Sequence, residues 1–188
     1  MPARLPNLLA RALGAALACC VSGAAGAEVL VVSNSAARHV SIVDPARGVV
    51  SRIDAGALPW GVALAGGGAY VATAEGVAVV DLAKRARIAL VAYHSPVGAP
   101  AARFSDYRAG GQGIAASADG SQVYVGVHGA DGTGRLEILD TAQLAMLGSV
   151  PVGRRPFQVL AAGDGSAVYT VDHDSFSVTV VDPRQRSA

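Results

Sequence analysis

Four histidines, His39, His94, His128 and His173, are the first candidates for chemistry in this 188-residue chain. Imidazole titrates near neutrality and is the commonest neutral metal ligand, so these residues could ligate a metal or haem, or move protons. No two of them stand at H-x-H or H-E-x-x-H spacing, and spacing therefore implies no metal site. The stretch that follows His94 adds Arg103, Phe104, Asp106, Tyr107 and Arg108, and Arg154-Arg155 come later. Arginine beside aromatic rings is the composition of binding hot spots, so these residues could anchor a protein or a small molecule. Asp172-His173-Asp174-Ser175 contains the residue types of a catalytic triad. Adjacent residues do not make one, because a triad is recognised in space. Asp131-Gly132-Thr133-Gly134 lacks the alternating carboxylates of a calcium loop and reads as a wide turn.

The elements that must position these residues are repeats. Pro59-Trp60-Gly61-Val62-Ala63-Leu64 leads through Gly66-Gly67-Gly68 and Tyr70-Val71 to Val79-Val80-Asp81. Gln112-Gly113-Ile114-Ala115-Ala116 leads through Asp119-Gly120 and Tyr124-Val125 to Ile138-Leu139-Asp140. Pro156-Phe157-Gln158-Val159-Leu160 leads through Asp164-Gly165 and Tyr169-Thr170 to Val180-Val181-Asp182. A shorter copy runs from Val29 to Asp44. The β-branched runs are punctuated by Asp-Gly and Gly-Gly, the chemistry of hairpin turns. Segments such as Ser177-Val178-Thr179-Val180-Val181 alternate as half-buried strands do. Each unit therefore reads as four antiparallel strands, A to D. Asp44 to Asp81 spans 37 residues and Asp140 to Asp182 spans 42, close to the length of a propeller blade. The expected fold is all-β, a β-propeller of four-stranded antiparallel blades. Asp81 to Asp140 spans 59, so the D–A connection from Tyr93 to Gly111 carries an insertion. Loops this long are commonly functional.

Repeat phase also sorts the candidate residues. B–C and D–A loops share one face of a propeller. His39, His128 and His173 fall in or beside B–C loops. His94, Arg103, Asp106, Tyr107, Arg108, Arg154 and Arg155 fall in D–A loops. One face thus collects every histidine. Trp60, Ile114 and Phe157 share the start of strand A and read as core.

Ser121 to Val125, Leu139-Asp140 and Val152-Gly153 to Pro156 resemble the YVTN-type β-propeller repeat, and the resemblance extends over residues 29–183. The motif's closing Asn occurs in Val31-Val32-Ser33-Asn34, while Thr73, Val127 and Asp172 replace it later. The resemblance implies a secreted or surface protein. Related propellers serve as subunits of periplasmic quinoprotein amine dehydrogenases, as the haem d1 domain of nitrite reductases, and as lactonases. The expectation is a binding or scaffold module acting through one loop face rather than an enzyme. The alternatives are a subunit of a periplasmic redox enzyme and a lactonase-like hydrolase. The sequence requires no cofactor.

Residues 1–27 read as a secretory signal, with Arg4 and Arg11 before the apolar run Leu13 to Val21 and an Ala25-Gly26-Ala27 cleavage site. The expected location is periplasmic or secreted, with cleavage after Ala27. Cys19 and Cys20 each meet only part of a lipoprotein pattern. The remaining domain, 28–188, has no cysteine and a formal charge of −1, which offers no footprint for nucleic acid or an anionic membrane. It carries no second apolar stretch that could span a membrane. Counting strands gives about 3.5 blades. The sequence thus predicts either a truncated seven- or eight-bladed propeller or one that assembles with another chain.

Overall fold

The computed structural model describes residues 29–100 and 107–188. The signal segment with Cys19 and Cys20, and also Arg103, Phe104 and Asp106, lie outside the described residues.

Fourteen strands form four antiparallel meanders among the described residues. The first sheet holds β1 (Leu30–Asn34), β2 (His39–Asp44) and β3 (Gly48–Asp54). The second holds β4 (Val62–Ala65), β5 (Gly68–Ala72), β6 (Gly76–Asp81) and β7 (Ala86–Ala92). The third holds β8 (Gly110–Ala116), β9 (Gln122–His128), β10 (Gly134–Asp140) and β11 (Ala145–Val152). The fourth holds β12 (Pro156–Ala161), β13 (Val168–Asp172) and β14 (Ser177–Val181). We number these sheets blades 1 to 4. No helix among the described residues is long and apolar enough to cross a membrane.

The repeated aspartates do the same work in each blade. Asp44 accepts from the Ala46 N–H, Asp81 from Lys84, Asp140 from Ala142 and Gln143, and Asp182 from Arg184 and Gln185. Each carboxylate thereby closes the turn out of strand C, as a short acidic side chain can. Four residues on, Gly48, Arg85, Leu144 and Arg186 take positive φ. Strand C carries a register shift at the same place in three blades, beside Ile42, Val79 and Ile138. Such bulges add local twist.

The A–B turns differ from the sequence expectation in one respect. Gly66 and Gly67 both take positive φ and make a two-residue hairpin. At Asp119-Gly120 and Asp164-Gly165 only the glycine does, and the loops are longer. Asp119 instead organises its loop, accepting from the hydroxyls of Ser117 (2.6 Å) and Ser121 (2.8 Å) and from the Ser121 N–H (3.0 Å). These donors, the Ser117 hydroxyl first, hold its carboxyl down to about 2 from 3.8. A depressed carboxyl stabilises the fold above its unfolded value and loses that contribution as pH falls through the folded one. A carbon-detected NMR titration should therefore place Asp119 near pH 2. A midpoint at 3.8 would mean that the loop network does not form in solution.

The core lies between blades. Val40, Ile42 and Ile53 of blade 1 pack on Ala69, Val71, Ala78 and Val80 of blade 2. Tyr70, Val77 and Val79 pack on Val123, Val125 and Leu139 of blade 3. Tyr124, Leu136, Ile138 and Val150 pack on Val159, Val168 and Val181 of blade 4. Each sheet thus buries apolar residues on both faces wherever it has a blade on each side.

Candidate functional site

The first residues of the A strands meet at the inner edge, where β8 lies between β4 and β12. The β8–β9 and β12–β13 ladders are irregular there, between Gly111 and Ile114 and between Pro156 and Gln158. Bulges re-aim side chains, and Phe157 sits in one of them. Its ring packs edge-on against Trp60 of blade 2, centroid to centroid 5.8 Å. Phe157 also meets the His173 ring at 6.3 Å, and His173 meets Tyr107 edge-on at 6.5 Å. A chain of four rings therefore runs from blade 2 to blade 4 and takes in the end of the long insertion. Sequence reading placed Trp60 and Phe157 in the core, whereas both are only half-buried. Their shared repeat position next to the loop face was the signal that could have found them.

Arg155 braces this row from below. It is buried, at 5 % exposure, and takes a left-handed φ of 55°. Its Nε donates to Asp174 Oδ2 at 2.9 Å, and its guanidinium carbon lies 4.3 Å from the centre of the Tyr107 ring. The geometry is a cation–π contact on a desolvated cation, worth about 2 kcal/mol or more. The backbone closes the same unit. The His173 and Asp174 N–H groups donate to the Arg155 and Arg154 carbonyls, and the Arg154 N–H donates to Ser175 Oγ at 2.7 Å. Asp174 accepts at Oδ1 from His173 Nδ1 at 2.8 Å. The His173 hydrogen bond first, then that of Arg155, keeps the Asp174 carboxyl below its ordinary range. Below it, Asp172 is buried and accepts from the hydroxyls of Thr170 (2.8 Å) and Thr179 (2.6 Å).

His128 approaches from blade 3, with Nε2 at 3.4 Å from Arg155 Nη2. A guanidinium only donates, so Nε2 accepts and the proton sits on Nδ1. Nδ1 is buried without a hydrogen-bond partner. Burial first, then the charge of Arg155, pushes His128 below the usual histidine range, so it is neutral at pH 7.

Tyr107, His128, Arg155 and His173 thus come together, and Arg154 borders them through a bond to the Asp174 carbonyl. Asp174, which the sequence reading passed over, joins them. Its adjacency to His173 hid a role that depends on Arg155, 19 residues away. Other candidates lie elsewhere. His39 Nδ1 contacts the Ala37 carbonyl in blade 1. His94 is exposed, and its backbone N–H is held by the buried Glu137 carboxylate. Arg108 turns inward, with Nη2 donating to the carbonyls of Leu58 (2.9 Å) and Gly111 (2.8 Å). Burial lowers its pKa, and its Nε has no partner.

The side chains gathered around Arg155 do not form a metal-ion cluster. Among the described residues no three of His, Cys, Asp and Glu gather. Nε2 of His128 faces a guanidinium, and Nδ1 of His173 is committed to Asp174. His39 and His94 belong to different loops. What the arrangement offers is a braced row of rings with a cation beneath it.

No family model matches this chain, and no curated protein matches it. Among solved structures it is similar to hydrazine synthase of Kuenenia stuttgartiensis, with a TM-score of 0.70 and 22 % identity over 85 % of this chain. These sheets are blades of a β-propeller. The match covers 44 % of the neighbour's chain, so this chain spans less than half of that protein's length. At this identity the likeness shows the fold alone.

Proposed function

We propose that this chain is an exported binding module whose propeller loop face takes a protein segment bearing apolar or aromatic side chains beside acidic ones. The observation that carries the reading is the row Trp60–Phe157–His173–Tyr107 over Arg155. Its rings are presented outward, with Tyr107 66 % exposed, yet they are held by contacts that limit the entropy lost on binding. Arginine and aromatics at such a centre are the usual anchors of an interface. The exposed Arg154 beside them supplies the attraction for an acidic group. The positive start, the apolar run Leu13 to Val21 and the Ala25-Gly26-Ala27 cleavage pattern support export.

Trp60 is the only tryptophan and stands in the row, so it reports on the site. A displayed library of random peptides selected against the chain should enrich acidic, aromatic sequences that shift Trp60 emission. Phe157→Ala and Tyr107→Ala should each weaken those peptides at least about tenfold, the usual loss for an anchor of about 1.4 kcal/mol or more. Selected peptides indifferent to both substitutions would place the site elsewhere.

A further inference from the structure

On the face opposite the ring row lie the A–B turns and the turns out of strand C. Two successive gaps between blades differ there, and both lie between described sheets. Between blades 2 and 3 the turns close on each other. A Cβ at Gly120 of blade 3 would stand 3.6 Å from the Ala65 Cβ and 3.7 Å from the Gly66 nitrogen of blade 2. Thr141 of blade 3 lies beside the Tyr70 hydroxyl of blade 2. Its N–H and hydroxyl donate to the Ser121 and Gly120 carbonyls at 3.0 and 2.8 Å.

Between blades 3 and 4 the equivalent residues stand apart. A Cβ at Gly165 would meet nothing of blade 3, and its one neighbour is Arg184 Nη2 at 3.9 Å. Pro183 takes the place of Thr141 and has neither the N–H nor the hydroxyl. Tyr124, the counterpart of Tyr70, turns its hydroxyl to Gln122 Oε1 instead, at 3.0 Å. A cavity of about 420 Å³ fills the gap, lined by both A–B turns, Tyr124, Pro183 and Arg184. That volume is within the range of small-molecule sites.

Its polar groups keep spare capacity. Asp119 and Asp164 hold their turns mainly through Oδ1, which in Asp164 accepts from the Ser166 N–H (2.9 Å) and hydroxyl (2.7 Å). Oδ2 of Asp164 accepts from no described residue, and Oδ2 of Asp119 only from Ser121 Oγ at 2.9 Å. The turn donors keep both carboxyls ionised at neutral pH, the Ser166 hydroxyl first for Asp164 and the Ser117 hydroxyl first for Asp119. The Arg184 guanidinium and Gln122 Nε2 have no hydrogen-bond partner among the described residues. The guanidinium offsets one of the two carboxylates, so the cavity selects for neither charge strongly. A hydroxyl is the group that can donate to such carboxylates and accept from a guanidinium or an amide. The buried Pro183 and Tyr124 add apolar surface for a C–H face.

The geometry points to a binding site for a neutral polyhydroxylated ligand, a mono- or disaccharide, in the cavity between blades 3 and 4. It is separate from the ring row and does not depend on the peptide reading.

Amide NMR of the full chain titrated with glucose, mannose, galactose, N-acetylglucosamine, maltose and cellobiose tests this. At least one sugar should shift the Ser121, Gln122 and Gly165 amides saturably and leave those of His173 and Asp174 in place. Arg184→Ala should weaken that sugar about tenfold, the usual loss for a charge-assisted hydrogen bond. Pro183→Thr supplies the missing N–H and hydroxyl, and should close the gap and abolish the shifts with strand content by circular dichroism unchanged. If that variant misfolds, Ala118→Trp, at an exposed position lining the cavity, should block it instead. No shift with any of these sugars, shifts indifferent to the substitutions, or a larger response to spermidine than to every sugar would each overturn the proposal.

Discussion

Replacing Glu137 with alanine should cost about 4 kcal/mol of stability, from two buried hydrogen-bond donors and one part-buried donor at about 1–3 kcal/mol each, partly relieved by water. Glu137 is fully buried in strand C of blade 3, at 0 % exposure. Its Oε2 accepts from the His94 N–H at 2.8 Å, and Oε1 accepts from the Ser95 N–H and hydroxyl at 2.7 and 2.6 Å. The carboxylate therefore fastens the start of the long insertion, which belongs to blade 2, onto blade 3. Two further contacts follow along the same path. The Ala130 N–H donates to the Pro96 carbonyl, and Gly98 approaches the Ala130 side chain. Glu137→Gln keeps the shape but turns a donor toward one of the three, and should cost roughly half as much. Amide exchange separates a local from a global effect. In Glu137→Ala the His94 and Ser95 amides should lose protection well before those of β6 and β9. Wild-type protection at both amides would show that the insertion is held by something else.

The same residues explain how far the sequence was legible. The aspartates, the Asp-Gly and Gly-Gly turns and the alternating runs are local signals, and they recur. Strand order and the propeller fold could be read from them, because a blade is built from neighbours in sequence. The phase of the loops was legible for the same reason, and it placed Tyr107, His128, Arg155 and His173 in B–C or D–A loops. Their convergence was not legible. Arg155 meets Asp174 and His128 because the bulge at Phe157 and a left-handed backbone at Arg155 set its direction. Neither leaves a mark in residue type. Arg108 makes the opposite case, since an arginine in a polar loop reads as a surface ligand. It serves here as an internal clamp on two carbonyls. Glu137 was hidden for a related reason. Charged residues in a half-buried strand are assigned to the wet face, but this face lies under an insertion whose path no periodicity describes.

Gly113→Ala tests the packing on which the ring of loops depends, and should cost about 3 kcal/mol, the upper part of the range for overpacking. The Cβ would lie 2.7 Å from the Gln158 Cα and the Val159 N–H nitrogen. Both are backbone, so no rotamer change can relieve the contact, and strand β12 must move. Movement of β12 separates blade 4 from blade 3 and carries Phe157 away from Trp60. Contacts in a repeat array are mainly between neighbours, so a weakened interface uncouples what lies beyond it. Denaturant unfolding followed by circular dichroism should then split, with blade 4 lost first. Peptide binding at the ring row should fail before the second transition begins, because Trp60 and Phe157 sit on opposite sides of the break. Gly163→Ala is the control, because a Cβ there meets nothing within 4 Å and its φ is not positive. It should stay within about 0.5 kcal/mol of wild type. A single transition in Gly113→Ala at wild-type denaturant would mean that the A strands do not pack as closely as Gly113 indicates.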